Sequence, residues 1–233
     1  EGGVDRMNKE NVKQALKKLN ESSKKRNFKQ SLDLVINLKG LNLKKTDNHV
    51  DMFVPLHFSK GKTAKICALV GPELKDNAKE HCDLVIAAKD FGEYQTDKKK
   101  LKKLAQNYDI FIAQANIMGK VAGAFGKVFG PRNKMPNPKA GCIVAPKGNI
   151  KNIVEKLQRT VRLAVKSELS VKCSVGKDDM DDEKIAENIM AAYQGLVNAL
   201  PQHENNIKFA AIKFTMSKAV KIGGKKWVNL KLS

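Results

Sequence analysis

The spacing of apolar and polar positions changes rhythm twice along the chain. Val12, Ala15, Leu16 and Leu19 recur at helical spacing with lysines opposite, and Asn8 stands where a cap belongs. A helix is therefore predicted from Asn8 to about Leu19, with Ser22 to Arg26 breaking it. Leu32, Leu34, Ile36 and Leu38 then alternate with Asp33, Val35, Asn37 and Lys39, which predicts a strand with one buried face. Val50 to Phe58 reads as a second strand, with Asn42 to His49 as a long hairpin loop if the two pair.

From Lys62 the apolar runs lose their alternation. Ala64 to Val70, stopped by Gly71-Pro72, Leu84 to Ala88 and Ile110 to Ala113 are unbroken apolar segments separated by charged helical stretches. That β-α-β-α-β order predicts a parallel sheet covered on both faces. A helix from Asn149 to about Gln158, with Ile150, Ile153, Val154 and Leu157 at helical spacing, closes the segment. Alternation returns in Val161 to Val165 and Leu169 to Val175. Asp181 to Leu200 reads as a helix carrying Asp181, Asp182 and Glu183 at its positive end, and Ile207 to Thr215 and Ala219 to Ile222 as strands. The two ends resemble each other more than either resembles the middle. The expected fold is an α+β domain, a split antiparallel sheet with helices, built from residues 1–60 and 160–233. A three-layer, Rossmann-like α/β domain is inserted at 61–159. Two crossings between such domains make a natural hinge, so a change of relative orientation between free and bound forms is expected.

Charge narrows the function. Forty-four Lys and Arg against twenty-four Asp and Glu give a formal net charge of +20, and such a surface attracts polyanions. No apolar run approaches a spanning length and the basic segments lack Trp- or Phe-rich amphipathic faces, so nucleic acid is expected rather than membrane. Cys67, Cys82, Cys142 and Cys173 are scattered without a C-x-x-C pair and the four His make no cluster with them, which suggests reduced thiols and neither zinc nor haem. With no tripartite leader opening the sequence, a reducing cytoplasm is the expected compartment. Residues 1–6 look like a flexible lead-in.

Several constellations invite chemistry and fail on spacing. Gly119 to Gly126 is glycine-rich, but Gly126-Lys127 is followed by Val128 where a phosphate loop needs a hydroxyl, so packing of a helix through small residues is the better reading. Gly71-Pro72-Glu73 lacks the further glycines of a dinucleotide fingerprint. His49, His57, His81 and His203 have no triad partners, and Asp178, Asp179, Asp181 and Asp182 lack the glycine and terminal glutamate of a calcium loop. Lys98, Lys99, Lys100, Lys102 and Lys103 share a helix with Leu101, Leu104 and Ala105 and read as a solvated face at least as readily as an RNA contact. No catalysis, metal or cofactor is expected.

Three segments suit RNA. Phe129 to Gly141 packs Gly, Pro and cations too densely for a helix or central strand and is expected to be a rigid, basic, exposed loop. Lys24-Lys25-Arg26-Asn27-Phe28 leads cations and one aromatic toward Ser31 and Asp33, and Thr215-Met216-Ser217-Lys218 ends a strand. A flat face of this kind reads 2′-hydroxyls, phosphates and unstacked bases. The last two groupings are also consistent with ordinary strand ends, and the loop with a surface connection whose prolines only stop flanking helices.

In the same order along the chain, the Gly130-Pro131-Arg132-Asn133-Lys134-Met135-Pro136-Asn137-Pro138-Lys139-Ala140-Gly141 loop, the Phe28 segment and the Thr215-Met216 pair resemble the ribosomal protein L-one family of the large-subunit stalk, in wording closer to archaeal members. The resemblance covers nearly all of the chain. It implies a terminal-derived domain that grips a helical junction of large-subunit ribosomal RNA (rRNA), and an inserted domain that extends the mobile stalk. It also implies help in releasing deacylated transfer RNA (tRNA) at the exit site, and repression of translation through the protein's own messenger. Such a protein is expected to be a monomer outside the ribosome and to sit in the cytoplasmic large subunit. The RNA-binding residues it implies are Phe28, Ser31, Asp33, Thr215 and Met216, with Lys177 at a turn like the family's; the two groupings above add Arg26, Ser217 and Lys218, and Arg132, Lys134 and Lys139 are expected on a stalk- or tRNA-facing loop. The family usually continues Thr-Met with Gly and often Pro, where this chain has Ser217 and Lys218. A nucleotide-using enzyme and a general nucleic-acid chaperone are the rival classes.

Overall fold

A computed structural model describes residues 7–24, 26–44, 48–165 and 168–223; residues 1–6 and Lys25, named above, lie outside it. Helix α1 (Lys9–Ser22) starts where its sequence allows, Asn8 Oδ1 accepting the Asn11 amide at 2.7 Å and satisfying one orphan donor of the first turn. The chain continues through β1 (Ser31–Leu38), β2 (Val50–Pro55), β3 (Ile66–Val70), α2 (Lys75–His81), β4 (Leu84–Ala87), α3 (Phe91–Thr96), α4 (Lys98–Asn107), β5 (Ile110–Gln114) and α5 (Met118–Phe129). It ends with β6 (Ile143–Val144), α6 (Ile150–Arg159), β7 (Thr160–Val165), β8 (Ser170–Lys177), α7 (Asp182–Ala199), β9 (Ile207–Phe214) and β10 (Val220–Ile222). The described residues divide into two compact units, one drawn from Glu1–Lys62 and Arg159–Ser233, the other being Thr63–Gln158.

In the first unit an antiparallel sheet runs in the order β10-β9-β1-β8. Leu32, Leu34, Ile36, Ala210, Ile212 and Phe214 face one way and form a single core with Val12, Leu16 and Leu19 of α1 and Ile185, Ile189 and Leu196 of α7. The helices thus lie on one side of the sheet, as alternating strands require. β2 and β7 pair separately. β1 and β2 do not pair with each other, and the chain leaving β1 turns toward β9: Lys39 N–H donates to Asn206 O and Asn206 Nδ2 to Lys39 O, just before Gly40 at φ 71°. Asn188 of α7, fully buried, bonds Phe58 N, Phe58 O and Val175 O and so fixes the segment after β2 against β8.

In the second unit β4-β3-β5-β6 are all parallel. Cys67, Leu69, Phe111 and Ala113 pack into one cluster with α3, α4 and α5, while Ile66, Ala68, Val70 and Ile112 are equally buried outside that cluster. Burial on both faces is why these strands read as unbroken apolar runs. Phe111 and Phe129 lie 4.2 Å apart with their rings tilted by 40°, and Phe91 meets Phe125 edge-on at 5.1 Å. The glycine-rich stretch is helical, but its glycines do not mediate close packing: a Cβ at Gly119, Gly123 or Gly126 would meet nothing within 4 Å, and Val121, Ala124 and Phe125 make the buried face instead.

Candidate nucleic-acid interface

Three chain segments meet at one end of the β10-β9-β1-β8 sheet. Ser31 opens β1 opposite Lys177 of β8, and the Thr215 amide donates to Ser31 O at 3.1 Å. Thr215 Oγ1 in turn accepts the Ser31 amide at 3.3 Å, which locks the turn after β9 to the start of β1. Gln30, only 4% exposed, is the hub: its Oε1 accepts the Met216 amide at 3.1 Å and its backbone carbonyl accepts the Asp178 amide at 3.0 Å.

Around this hub the side chains are presented outward. Phe28 is 53% and Met216 61% exposed, two of only three large hydrophobic side chains left exposed among the described residues. Arg26, Thr215 and Lys218 are exposed; Ser31, Asp33, Lys177 and Ser217 are half-buried. A groove of about 520 Å³ lies beside them, lined among others by Lys24, Arg26, Phe28, Phe214, Asp178 and the Lys29–Asp179 ion pair. Aromatic and cationic side chains together suit a nucleotide, whose base has an apolar face and whose backbone is anionic.

Two charges here are tuned by their surroundings. Burial pushes the Asp33 carboxyl above its ordinary value, with Lys213 acting the other way. The Asp179 carboxyl is held below its ordinary value by its hydrogen bond to Lys29. The Cys82 thiol in the second unit is pushed up to about 11 by burial.

The structure brings Arg26, Phe28, Ser31, Asp33, Lys177, Thr215, Met216, Ser217 and Lys218 to this end of the sheet, and Ser217 also holds the turn. Ser217 Oγ accepts the Phe214 amide at 2.8 Å and closes the turn, at an ordinary negative φ. The backbone here therefore has no need of the family's glycine. Sequence reasoning missed Gln30, Phe214 and the Lys29–Asp179 pair; one glutamine ahead of an alternating strand carries no signal of its role.

The Phe129 to Gly141 loop, in the second unit, is shaped as its composition suggests but is less exposed than expected. Gly141 takes φ 76° and Asn133 φ 54°, Asn137 Oδ1 accepts the Lys139 amide, and Pro136 and Ala140 are buried. Arg132 and Lys139 are exposed. Lys134 is not a loose surface cation: its Nζ donates to Ala105 O at 2.7 Å and Tyr108 O at 2.6 Å, capping the C-terminal end of α4. Where a doubly wound sheet receives phosphate, at the ends of the strands flanking its change of direction, Gln114 is seated instead. Its Oε1 accepts the Gly71 amide at 2.8 Å and its Nε2 donates to Glu73 at 2.8 Å. Among the described residues no His, Cys, Asp and Glu group could hold a metal ion, and no helix is long and apolar enough to cross a membrane.

An antiparallel-sheet unit joined to a parallel α/β unit, with a groove lined in part by cations, defines a class of two-unit basic proteins. The family described as Ribosomal protein L1p/L10e matches residues 10–218. The chain is 39% identical to the large ribosomal subunit protein uL1 of Methanothermobacter thermautotrophicus over 91% of this chain and 98% of the relative. It is 37% identical to that of Thermococcus kodakarensis over 90% and 95%, and 38% identical to that of Methanobrevibacter smithii over 91% and 98%. The chain belongs to the L1p/L10e family of ribosomal proteins, which are structural and not enzymes.

Proposed function

We propose that this protein is a structural component of the large subunit of the cytoplasmic ribosome and binds large-subunit rRNA through the end of the sheet that carries Phe28, Ser31, Asp33, Lys177, Thr215 and Met216. The observation that carries this reading is the exposure of Phe28 and Met216 on either side of the Gln30 and Ser31–Thr215 bonds, beside a groove lined in part by cations. Two exposed apolar side chains beside lysines and an arginine offer stacking surface and positive charge together, a combination that unstacked bases with phosphates match. By resemblance to its family the protein forms the mobile stalk at the exit site, with Arg132 and Lys139 on the tRNA-facing loop, and assists release of deacylated tRNA. It also represses translation by binding its own messenger RNA at a mimic of the rRNA junction, as a monomer outside the ribosome.

The test is affinity for a folded stalk-junction RNA across a salt series with excess tRNA as competitor, for the native chain and for Thr215→Ala combined with Met216→Ala. Specific contacts survive salt and competitor, and the double variant is expected to lose about 1–3 kcal/mol. Equal binding of every RNA by both chains, released steeply by salt, would leave only a general polyanion binder.

A further inference from the structure

The chain passes between the two units twice, and next to each passage the backbone is held by groups from distant parts of the sequence. On the side of the first unit, Leu56 N–H donates to Arg159 O at 2.9 Å, both backbone groups of Phe58 bond the Asn188 carboxamide, and Lys60 Nζ donates to Thr160 O at 3.0 Å. On the side of the second, Gln158 grips both backbone groups of Ala64, its Oε1 accepting the amide at 2.7 Å and its Nε2 donating to the carbonyl at 2.8 Å. The outgoing passage is thereby reduced to the stretch around Gly61, Lys62 and Thr63, and the return to the step from Gln158 to Arg159.

Gly61 is where the outgoing passage meets the candidate interface. Its φ of 73° is one that glycine adopts without steric cost. A Cβ there would stand 3.2 Å from Lys177 Cδ, 3.3 Å from Lys177 Cγ and 3.4 Å from Met180 Sδ, so the aliphatic stem of Lys177 and the Met180 thioether lie against the Gly61 backbone. The same sulfur would lie 3.3 Å from a Cβ at Gly176, which places it between the two glycines. Lys177 ends β8 opposite Ser31, so one side chain has its stem on the passage and its place at the RNA-binding end of the sheet.

We propose that Lys177 couples RNA binding to the freedom of the two units: a phosphate that holds its ammonium fixes its stem against Gly61 and so narrows the range of orientations the units take. The inference rests on the rRNA-binding reading given above. Its physical basis is conformational entropy. A lysine not held at its ammonium samples many rotamers, and a wall made of such a stem yields when the backbone beside it turns. Once the ammonium is anchored, the rotamers that let Gly61 move are lost, so ordering at the RNA site is felt at the passage with no new bond formed there. The effect reaches the whole second unit because a hinge concentrates its motion in a few backbone torsions, and those of Gly61 are among them. Met180, seated between Gly61 and Gly176, links the same backbone to the core packed around Ile185.

The test is the distribution of distances between two spin labels, one in each unit, with and without saturating stalk-junction RNA. The labels are carried by Gln14→Cys on α1 and Gln106→Cys on α4, both exposed, in a full chain with Cys82→Ala so that the remaining native cysteines are buried. With Lys177 intact the distribution is expected to narrow when RNA binds. Lys177→Ala removes the stem, and its distribution should be broader without RNA and stay broad with it. Lys177→Met keeps a stem of similar length without the charge, so its distribution should match that of the chain with Lys177 when free and fail to narrow when bound. Thermal melting shows which variants are folded, and Lys177→Met decides the matter by itself if Lys177→Ala is not. A Lys177→Met chain that binds the junction and narrows as fully as the chain with Lys177 overturns this inference and leaves the rRNA-binding reading standing, as does a chain with Lys177 that binds the junction without narrowing. A native chain with no preference for the junction over tRNA overturns both.

Discussion

The Met216 amide donates to Gln30 Oε1 across a gap of 186 residues in sequence, at 3.1 Å. One buried carboxamide therefore sets where the most exposed methionine of the candidate interface stands. Gln30→Met keeps the volume and removes the acceptor, leaving a backbone donor unsatisfied at a cost of about 1–3 kcal/mol. The expected outcome is a lower denaturant midpoint of that size together with weaker junction-RNA binding at temperatures where the variant is fully folded. Unchanged RNA affinity in the folded variant would separate Gln30 from the interface.

Lys134 and Lys139 sit five residues apart on one basic loop and differ in task. The Lys134 ammonium satisfies two carbonyls at the end of α4, whereas Lys139 is exposed. Hydrogen bonds to charged groups are worth roughly 1.5–3 kcal/mol and exposed surface changes usually within about 0.5. Lys134→Met should therefore destabilise the protein by about 1.5–3 kcal/mol, and Lys139→Ala hardly at all. Differential scanning calorimetry of the two variants side by side checks this, and equal melting temperatures would contradict it.

The same pair of lysines marks what the sequence displays and what it hides. Alternation in Leu32 to Leu38 and its absence in Ala64 to Val70 report burial on one face or two, so strand type was legible at both places. Pairing partners were not: nothing local says that Lys39 bonds Asn206 or that β1 pairs with β8 and β9 instead of β2. The short β6 and α3 were missed because two apolar residues, or a helix of six, carry no period. The candidate interface was legible at Phe28 as one aromatic among cations, and at Thr215 and Met216 only through the family resemblance. Gln30 and Lys134 act through bonds to distant backbone atoms, which leave no trace in composition or spacing.

Gly195 lies in the interior of α7, where glycine is about 1 kcal/mol worse than alanine by intrinsic preference. Packing reverses the sign. A Cβ there would stand 2.7 Å from Val54 Cγ2 and 3.1 Å from Cγ1, inside contact distance with a branched side chain on β2 that has no flexible end to withdraw. Overpacking of this kind costs about 1–3 kcal/mol. Gly195→Ala is expected to be destabilising despite the gain in propensity, and Val54→Ala in the same chain to recover part of the loss. A double-mutant cycle with zero coupling would show that the helix shifts to absorb the methyl group.

Asp33 joins stability to binding. Burial raises its carboxyl pKa above the ordinary 3.8, with Lys213 opposing. A carboxyl that binds its proton more tightly folded than unfolded stabilises the fold fully below the unfolded value, and that contribution is lost as pH rises through the raised value. At neutral pH the ionised group is therefore a cost to folding, and Asp33→Asn should melt at a higher temperature than the native chain, the difference vanishing below about pH 3.8. A carboxylate in a cationic site also repels phosphate and accepts only from donors, such as a 2′-hydroxyl or a base amino group. Removing it should raise affinity for any RNA at low salt while reducing the preference for the stalk junction over tRNA. Higher stability with an undiminished preference would assign Asp33 no part in recognition; lower stability at neutral pH would mean that Lys213 outweighs the burial.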